Sequence, residues 1–343
     1  VEVVYNGQMA AITVAGNVAQ YLTITTKGAH VNIEQSSELA EEIIYTLSGS
    51  SMDGEFYMSG SYKATVVLNG LTLTNATPMT SGAAIHIQNG KRIKVQLLEG
   101  TNNTLVDAAS GSQKGALYVK GHPEFSGKGT LIVNGNVKHA IKSGEYMTVK
   151  DATIKVQSAA GDGINCGQYF LMESGVLNIS GVEDDGIQCD IDDTDTGSTG
   201  ETADHEDEDS GNIYLEGGQI TINTAGIAAK GVKSEGDLVV KDGVIDITTT
   251  GNGKWDEEDV KTKAAACLGS DAKVVISGGT LTLTSTGAGG KGINCDAAFE
   301  LSGGEVTIVT KGTLYYHNGT TENTNYTGNT DNVNSDYYSS SKG

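Results

Sequence analysis

Short apolar runs alternate with polar, glycine-containing turns along most of the chain, and three kinds of run recur in a fixed order. The first is centred on one apolar residue, as in "GINC" at Ile164 and "GIQC" at Ile187. The second is typified by "YFLMES" and "NIYLEGG", and the third by "GVLNI" and "GQITI". Apolar residues at every second position indicate strands. The pattern therefore predicts three short strands per repeat.

The period of this repeat is about 23 residues. The centres of the first run are assigned to Ile141, Ile164, Ile187, Ile227, Leu268 and Ile293, with a weaker copy at Leu117. Insertions near 190–211 and 250–263 lengthen two of the intervals. Leucine-rich repeats need a Leu/Asn consensus that is missing, and a propeller blade needs ~40 residues. The repeat therefore predicts an all-β fold, a right-handed parallel β-helix with three strands per rung.

The clarity of the repeat divides the chain into three parts. Residues 81–311 are predicted to form the parallel β-helix. Residues 1–80 repeat less clearly and are predicted to be an N-terminal cap with irregular first turns, because a stack of strands needs protected ends. Residues 312–343, which are rich in Tyr, Asn, Thr and Gly, are predicted to be a C-terminal cap or tail.

Alternation in the third run separates inward from outward side chains. The predicted inward pairs are Leu177/Ile179, Ile220/Ile222, Ile245/Ile247, Leu281/Leu283 and Val306/Ile308. In the first run, Cys166 and Cys189 occupy equivalent positions two residues after the central isoleucine, so they also face inward. We interpret them as small buried apolar residues. A disulfide between neighbouring rungs satisfies the distance, but the two side chains would run parallel.

The composition supports this architecture and limits the partners. The chain has 47 Gly, 2 Pro, 4 Phe and 1 Trp, so aliphatic residues must form the core and glycine the corners. The net charge of −21 disfavours nucleic acid and anionic membranes and favours divalent cations. No apolar run is long enough to span a membrane. The sequence begins at Val1 without a charged-then-apolar leader, so export cannot be read from it directly.

Three aspartates are the main candidates for metal ligands. Asp162 and Asp185 each precede a central isoleucine by two residues, and Asp184 lies beside Asp185. Rungs in register would bring these three carboxylates together, where they repel one another without a cation. Oxygen ligands at this density favour Ca²⁺ over Mg²⁺, which prefers to keep its water. The alternative interpretation is a solvated acidic corner without an ordered metal.

More acidic residues follow in the first insertion. Asp190 and Asp192 belong to "DIDDTD", which resembles the start of an EF-hand loop but lacks its glycine at position 6 and its glutamate at position 12. Both are predicted to serve the same ion or a neighbouring one. The run "DHEDED" at 204–209 is interpreted as a solvated acidic loop or a further part of the site.

The motifs "GDGINC" and "EDDGIQCD", with "GSYKATVVLNGLTLTN" and "AGIAAKGVKS", resemble bacterial carbohydrate-binding β-helix proteins of the clostridial cellulose- and pectin-binding type. The resemblance covers about 40–310. It implies a secreted or cell-surface protein with calcium on the helix, related in fold to family 9 pectate lyases. Asp184 and Asp185 match the aspartate pair of these lyases and Asp162 the aspartate of the previous rung. Gln188 stands where the lyases have a further aspartate.

Three function classes remain open. The first is a noncatalytic, calcium-dependent binder of plant cell-wall polysaccharide, either cellulose or polygalacturonate, with Trp255 and Lys230 as sugar contacts. The second is a calcium-dependent lyase, in which Lys230 would act as the base and Lys233 and Lys142 are more remote candidates. The third is a structural or adhesive surface protein without a specific glycan. Calcium is the predicted cofactor in the first two classes.

Overall fold

The computed structural model describes residues 1–191, 210–259 and 261–317, together with the backbone of 322–326 and 338–340. This part of the chain is nearly all β, and its one helix is the 3-10 turn Ala19–Tyr21. Most strands pair in parallel with a strand of the next rung. The predicted all-β class with parallel sheets is therefore confirmed.

The central strands of the first run lie in one sheet, which we call column 1. Its neighbouring strands pair in parallel after an initial antiparallel pair. In chain order they are Leu22–Lys27, Ala29–Gln35, Gly54–Ser59, Ile85–Gln88, Gly115–Val119, His139–Ser143, Ile164–Cys166, Ile187–Cys189, Lys230–Ser234, Ala266–Ser270 and Lys291–Cys295.

The second and third runs form columns 2 and 3, which belong to one larger sheet. Column 2 consists of Ile93–Leu97, Pro123–Ser126, Met147–Lys150, Phe170–Met172, Ile213–Leu215, Leu238–Val240, Val274–Ile276 and Phe299–Leu301. Column 3 consists of Asn102–Val106, Thr130–Gly135, Thr153–Ala159, Val176–Val182, Gln219–Thr224, Val244–Thr249, Thr280–Ser285 and Glu305–Thr310.

Longer strands begin the larger sheet. Glu2–Asn6 pairs antiparallel with Met9–Thr13 and in parallel with Ile43–Ser51, which in turn pairs with Ala64–Thr74. Two small sheets lie outside the columns. One is the antiparallel hairpin of Lys254–Asp256 with Lys261–Lys263, and the other joins Leu314–His317 to Glu322–Tyr326 and Tyr338–Ser340. No helix in the described residues is long and apolar enough to cross a membrane.

Inward-facing residues of the three columns form one continuous hydrophobic cluster. The alternation predicted for column 3 is confirmed for four of the five pairs, which are fully buried. The fifth pair differs, because Val306 is half-buried and Ile308 is 43% exposed. Glu305–Thr310 pairs only with the preceding strand of its column among the described residues, so no further rung covers its inner face.

The predicted centre at Ile227 is wrong, because the structure places Val232 at that position of column 1. The partner of Ile187 in column 1 is Val232, which is fully buried, whereas Ile227 is 66% exposed. Val232 in turn pairs with Leu268. The sequence contains two adjacent Gly-apolar pairs, "GIAA" and "GVKS", and the second of them enters the sheet.

The corrected register also defines the cysteine positions. Cys166 pairs with Cys189, and the chain of partners continues through Ser234 and Ser270 to Cys295. Cys166 and Cys189 are fully buried and free, as predicted, so no disulfide joins them. A small residue fits here because the side chain lies at the corner after column 1. The hydroxyl of Ser234 donates there to the carbonyl of Gly211 at 3.0 Å.

Glycine before the central residue lets column 1 approach column 3. A Cβ on Gly163 would lie 2.7 Å from Cγ2 of Ile179, and one on Gly186 would lie 2.5 Å from Cγ2 of Ile222. Both distances are too short for carbon atoms in contact. The recurring Gly-Ile pair therefore reflects close packing, with glycine against column 3 and isoleucine in the core.

Candidate functional site: a carboxylate cluster beside column 1

The three predicted metal-ligand aspartates meet at the corner before column 1. Ile164 and Ile187 are register partners, so Asp162 and Asp185 lie in neighbouring rungs at equivalent positions. Carboxylate oxygens of Asp162, Asp184 and Asp185 all lie within 4.8 Å of one another. Asp162 and Asp185 are buried, and Asp184 is exposed. The stacking of rungs thus gathers the acids that the sequence repeat indicated.

Asp162 is held by contacts with three neighbours. Its Oδ2 accepts from Asn165 Nδ2 at 2.8 Å, and its Oδ1 accepts from the backbone N–H of Asp185 at 3.1 Å. Nδ1 of His139 lies 3.2 Å from both Oδ2 and the backbone nitrogen of Asp162. A neutral Nδ1 accepts from this N–H, whereas a protonated one donates to the carboxylate. Each carboxylate oxygen retains a lone pair for a cation.

Asp185 bridges to the next rung along the stack. Its Oδ1 accepts a hydrogen bond of 2.5 Å from the backbone N–H of Lys230, and Gly186 N–H donates to the carbonyl of Lys230 at 2.9 Å. These contacts anchor the corner residue Asp185 to the strand Lys230–Ser234 of the next rung. Such a position is well suited to hold a ligand group in constant geometry.

The surroundings of the cluster raise the pKa values of two of its carboxyl groups. The pKa of Asp185 is raised to about 8, chiefly by burial and also by the neighbouring Asp162 and Asp184, against the opposing effect of Lys230. The pKa of Asp184 is also raised, first by burial and then by Asp162. Two shifts of this sign show that the fold disfavours the ionised forms of these neighbouring carboxylates. A bound cation would reverse that preference.

A groove of about 410 Å³ opens beside the cluster. Its lining combines acidic and basic side chains: Asp162, Asp184 and Asp190 with Lys114, Lys138, His139 and Lys142. Asp190 therefore lies in the same groove as the cluster, although it is not one of the three grouped carboxylates. It accepts a hydrogen bond from Nε2 of Gln188, and burial raises its pKa. Asp192 lies outside the described residues.

The three candidate lysines have different surroundings. Nζ of Lys230 donates to the carbonyl of Ala228 at 2.8 Å, and burial lowers its pKa against the opposing charge of Asp185. Nζ of Lys142 is buried and donates to Oδ1 of Asn165 at 2.6 Å. Lys233 forms an ion pair with Asp271, with Nζ and Oδ2 2.7 Å apart. Burial thus lowers the pKa of Lys230, whereas, against the effect of burial, the ion pair with Asp271 raises the pKa of Lys233.

Trp255 lies on the hairpin rather than in the groove lining. Its ring stacks on that of His317 at a centroid distance of 4.7 Å and an interplanar angle of 11°. One ring face therefore joins the hairpin to the strand Leu314–His317. A role for this half-buried ring in sugar binding remains a prediction.

Sequence reasoning missed His139 and Asn165 beside the aspartates and named Lys142 only as a remote candidate base. Asn165 and Lys142 are register partners on the outer face of column 1, and His139 begins the strand that contains Lys142. The repeat could have identified these residues, since outward positions of column 1 next to the aspartates face the same groove. The strongly acidic composition of the whole chain drew attention away from the few basic residues.

Parallel strands in repeated columns, with a carboxylate cluster beside an outer groove, define a repetitive β-sheet protein with a candidate surface site. The chain belongs to the family described as carbohydrate-binding domain-containing proteins, whose match covers residues 20–313. The predicted family resemblance is thereby confirmed.

Two similar proteins extend this result. A carbohydrate-binding domain-containing protein of Acetivibrio thermocellus is 25% identical over 135 residues, which is 36% of this chain and 46% of that protein. The aligned part thus spans less than half of the curated relative. A solved structure, the gadolinium derivative of a polysaccharide lyase-like protein from C. thermocellum, matches with a TM-score of 0.51 and 16% identity. The match covers 89% of this chain and 98% of that one, and it shows a shared fold.

Proposed function

We propose that this protein is a noncatalytic, calcium-dependent binder of plant cell-wall polysaccharide, built as a right-handed parallel β-helix and working outside the bacterial cell. The observation that carries the proposal is the convergence of Asp162, Asp184 and Asp185 within 4.8 Å beside an open groove. Family membership indicates that the ligand is a carbohydrate, and the three carboxylates indicate that a cation takes part in binding it. Polygalacturonate is the proposed ligand of this groove and cellulose a further candidate partner.

The donor set fits Ca²⁺. All three side chains offer hard oxygen atoms, and calcium takes six to eight such ligands at ~2.3–2.6 Å. Asp162 and Asp185 would hold the ion from two adjacent rungs, and the exposed Asp184 would close it on the solvent side. When bound, calcium supplies positive charge that can bridge the protein to the carboxylates of an acidic glycan. This bridge is needed because the chain itself carries a net charge of −21.

The chain's own residues would orient the glycan next to the ion. Lys142 is held by Asn165, and Lys138 and Lys114 line the same groove, so cationic side chains face the space beside the aspartates. An ammonium group attracts a sugar carboxylate and donates hydrogen bonds to it. The groove therefore combines a cation site with basic side chains, a pattern that favours acidic sugars over neutral ones.

Retention on polygalacturonate tests the proposal. We expect the unmodified protein to be retained with Ca²⁺ and released by a chelator, and the Asp184→Asn/Asp185→Asn variant to flow through in both conditions. Asp246→Asn is the matched control, because it removes an exposed carboxylate on column 3. Retention that ignores the chelator, or that the double variant keeps, would contradict the proposal. The absence of retention on any polysaccharide would favour a structural or adhesive role.

A lyase is the second candidate, and one observation favours it. Lys230 is beside the carboxylate cluster and its pKa is lowered by burial, as a general base for proton abstraction requires. Lyase activity would produce an unsaturated sugar that absorbs in the ultraviolet. Product formation that depends on calcium and is lost in Lys230→Ala would establish this candidate. If the absorbance did not change over a long incubation, the lyase candidate would be rejected in favour of the noncatalytic binder.

A further inference from the structure

The outer face of column 2 carries a stripe of apolar side chains on four successive rungs. Leu171 pairs with Tyr214, Tyr214 with Val239, and Val239 with Val275. All four are half-buried, and each lies between buried residues of its own strand, so all four point outward. Three strand spacings of ~4.8 Å give the stripe a length of roughly 14 Å along the stack.

Charged residues in matched pairs border this stripe. A groove of about 460 Å³ is lined by Leu171 and Tyr214, together with Thr148 and six charged residues. Four of the six form two ion pairs across rungs, Lys150–Glu173 and Lys241–Glu216, each at 2.6 Å. The other two, Lys94 and Glu124, carry opposite charges, so the charges of the lining cancel. The groove is thus locally neutral, although the protein carries a charge of −21.

Tyr214 is held in place before any ligand arrives. Its hydroxyl accepts a hydrogen bond from Nδ2 of Asn212 at 2.7 Å. Its ring contacts the edge of the Tyr169 ring at a centroid distance of 6.4 Å, and Tyr169 stacks on Tyr146 at 4.7 Å. A ring that is already ordered loses little conformational entropy when a ligand packs against it.

We infer that this groove is a second glycan site, separate from the aspartate groove, which binds a neutral pyranose chain without calcium. The inference rests on the proposed function for its ligand class, carbohydrate. A pyranose ring has an apolar C–H face that suits Tyr214 and Leu171, and hydroxyl groups that suit the adjacent ammonium and carboxylate groups. The two grooves share no lining residue.

A peptide partner fits this surface less well than a sugar chain. The backbone groups of column 2 are committed to parallel ladders on both sides, so an extended peptide cannot add to its face as another strand. A peptide helix would need apolar walls along the groove. The walls here are the two ion pairs, whose donors and acceptors match hydroxyl groups instead.

Calorimetric titration with cellohexaose, xylohexaose and mannohexaose in the presence of a chelator tests the inference. We expect at least one of the three to bind the unmodified protein. Tyr214→Ala should weaken that binding by about tenfold, which corresponds to ~1.4 kcal/mol. Leu171→Asn is a second variant that should weaken it too. Tyr57→Ala is the control, because Tyr57 is a half-buried tyrosine on the outer face of column 1.

The outcomes separate this site from the aspartate groove. Asp184→Asn/Asp185→Asn should bind the neutral hexaose as the unmodified protein does, and Tyr214→Ala should keep its calcium-dependent retention on polygalacturonate. Thermal unfolding of each variant confirms that the fold is intact. The inference is overturned if none of the three hexaoses binds, or if folded Tyr214→Ala and Leu171→Asn both bind as tightly as Tyr57→Ala. If the unmodified protein bound a neutral hexaose but no calcium, only the proposed function would be overturned.

Discussion

The backbone N–H of Lys230 donates a hydrogen bond of 2.5 Å to Oδ1 of Asp185, although 45 positions separate the two residues. The bond joins consecutive rungs across the insertion that follows Asp190. It places a carboxylate of one rung against the backbone of the next. Lys230 is also the residue that would act as the base if the protein were a lyase. The proposed metal site, the candidate base and the stacking of the rungs are therefore coupled through a single contact.

Stability of the calcium-free protein should fall as the pH rises. The pKa of Asp185 is about 8 in the folded chain, whereas an unfolded aspartate has a pKa of ~3.9. Between these values the folded carboxyl binds a proton that the unfolded chain has lost, so the free energy of unfolding decreases with pH, at up to ~1.4 kcal/mol per unit. Urea unfolding in a chelator at about pH 5 and about pH 8 measures this.

Asp185→Asn provides the comparison for that pH dependence. An amide cannot ionise, so the variant should lose much less stability over the same range. Saturating Ca²⁺ should flatten the pH dependence of the unmodified protein, because the cation favours the ionised form. Equal slopes for the unmodified protein and the variant in chelator would show that Asp185 titrates in its ordinary range.

Gly186→Ala should damage both the packing and the metal site. Its Cβ would lie 2.5 Å from Cγ2 of Ile222 and 2.5 Å from the carbonyl oxygen of Gly231, so the strand must shift. Overpacking of this kind costs about 1–3 kcal/mol. The shift would also move Asp185 and weaken calcium binding. Gly16→Ala is the control, because a Cβ there has no neighbour within 4 Å.

Cys189→Ser should be tolerated and Cys189→Leu should not. Cys189 pairs with Ser234, whose hydroxyl bonds to carbonyl oxygens at the same corner. Serine at 189 should therefore cost little, because its hydroxyl would find a carbonyl acceptor and avoid the about 1–3 kcal/mol that an unpaired buried polar group costs. Leucine would overfill a fully buried position. Denaturant midpoints of both variants measure the difference, and equal midpoints would contradict the assigned packing.

The sequence alone was sufficient to predict the inward-facing residues of most of column 3 and the proximity of Asp162 and Asp185. Alternation fixed which residues of column 3 face inward, and the equivalent placement of Asp162 and Asp185 followed from the spacing of Ile164 and Ile187. Both inferences depend only on local periodicity, which a stack of rungs preserves. The assignment of the column 1 centre failed where the periodicity is interrupted, at the insertion after Asp190, because Val232 and not Ile227 pairs with Ile187.

The register after that insertion was ambiguous because two similar segments compete. "GIAA" and "GVKS" both place an apolar residue after glycine, but Ser234 matches the Ser/Cys position of the other rungs and Ala229 does not. That signal could have selected Val232 over Ile227. The groove partners His139 and Asn165 were harder to foresee, since their convergence with the aspartates depends on how the turns fold over the stack.

Calorimetric titration of Ca²⁺ into chelator-treated protein tests the central claim most directly. The account predicts calcium binding by the unmodified protein and by Asp246→Asn, and none at the same concentrations by Asp184→Asn/Asp185→Asn. Undiminished binding by the folded double variant would contradict it, because the cation would then be held by residues other than the aspartate cluster.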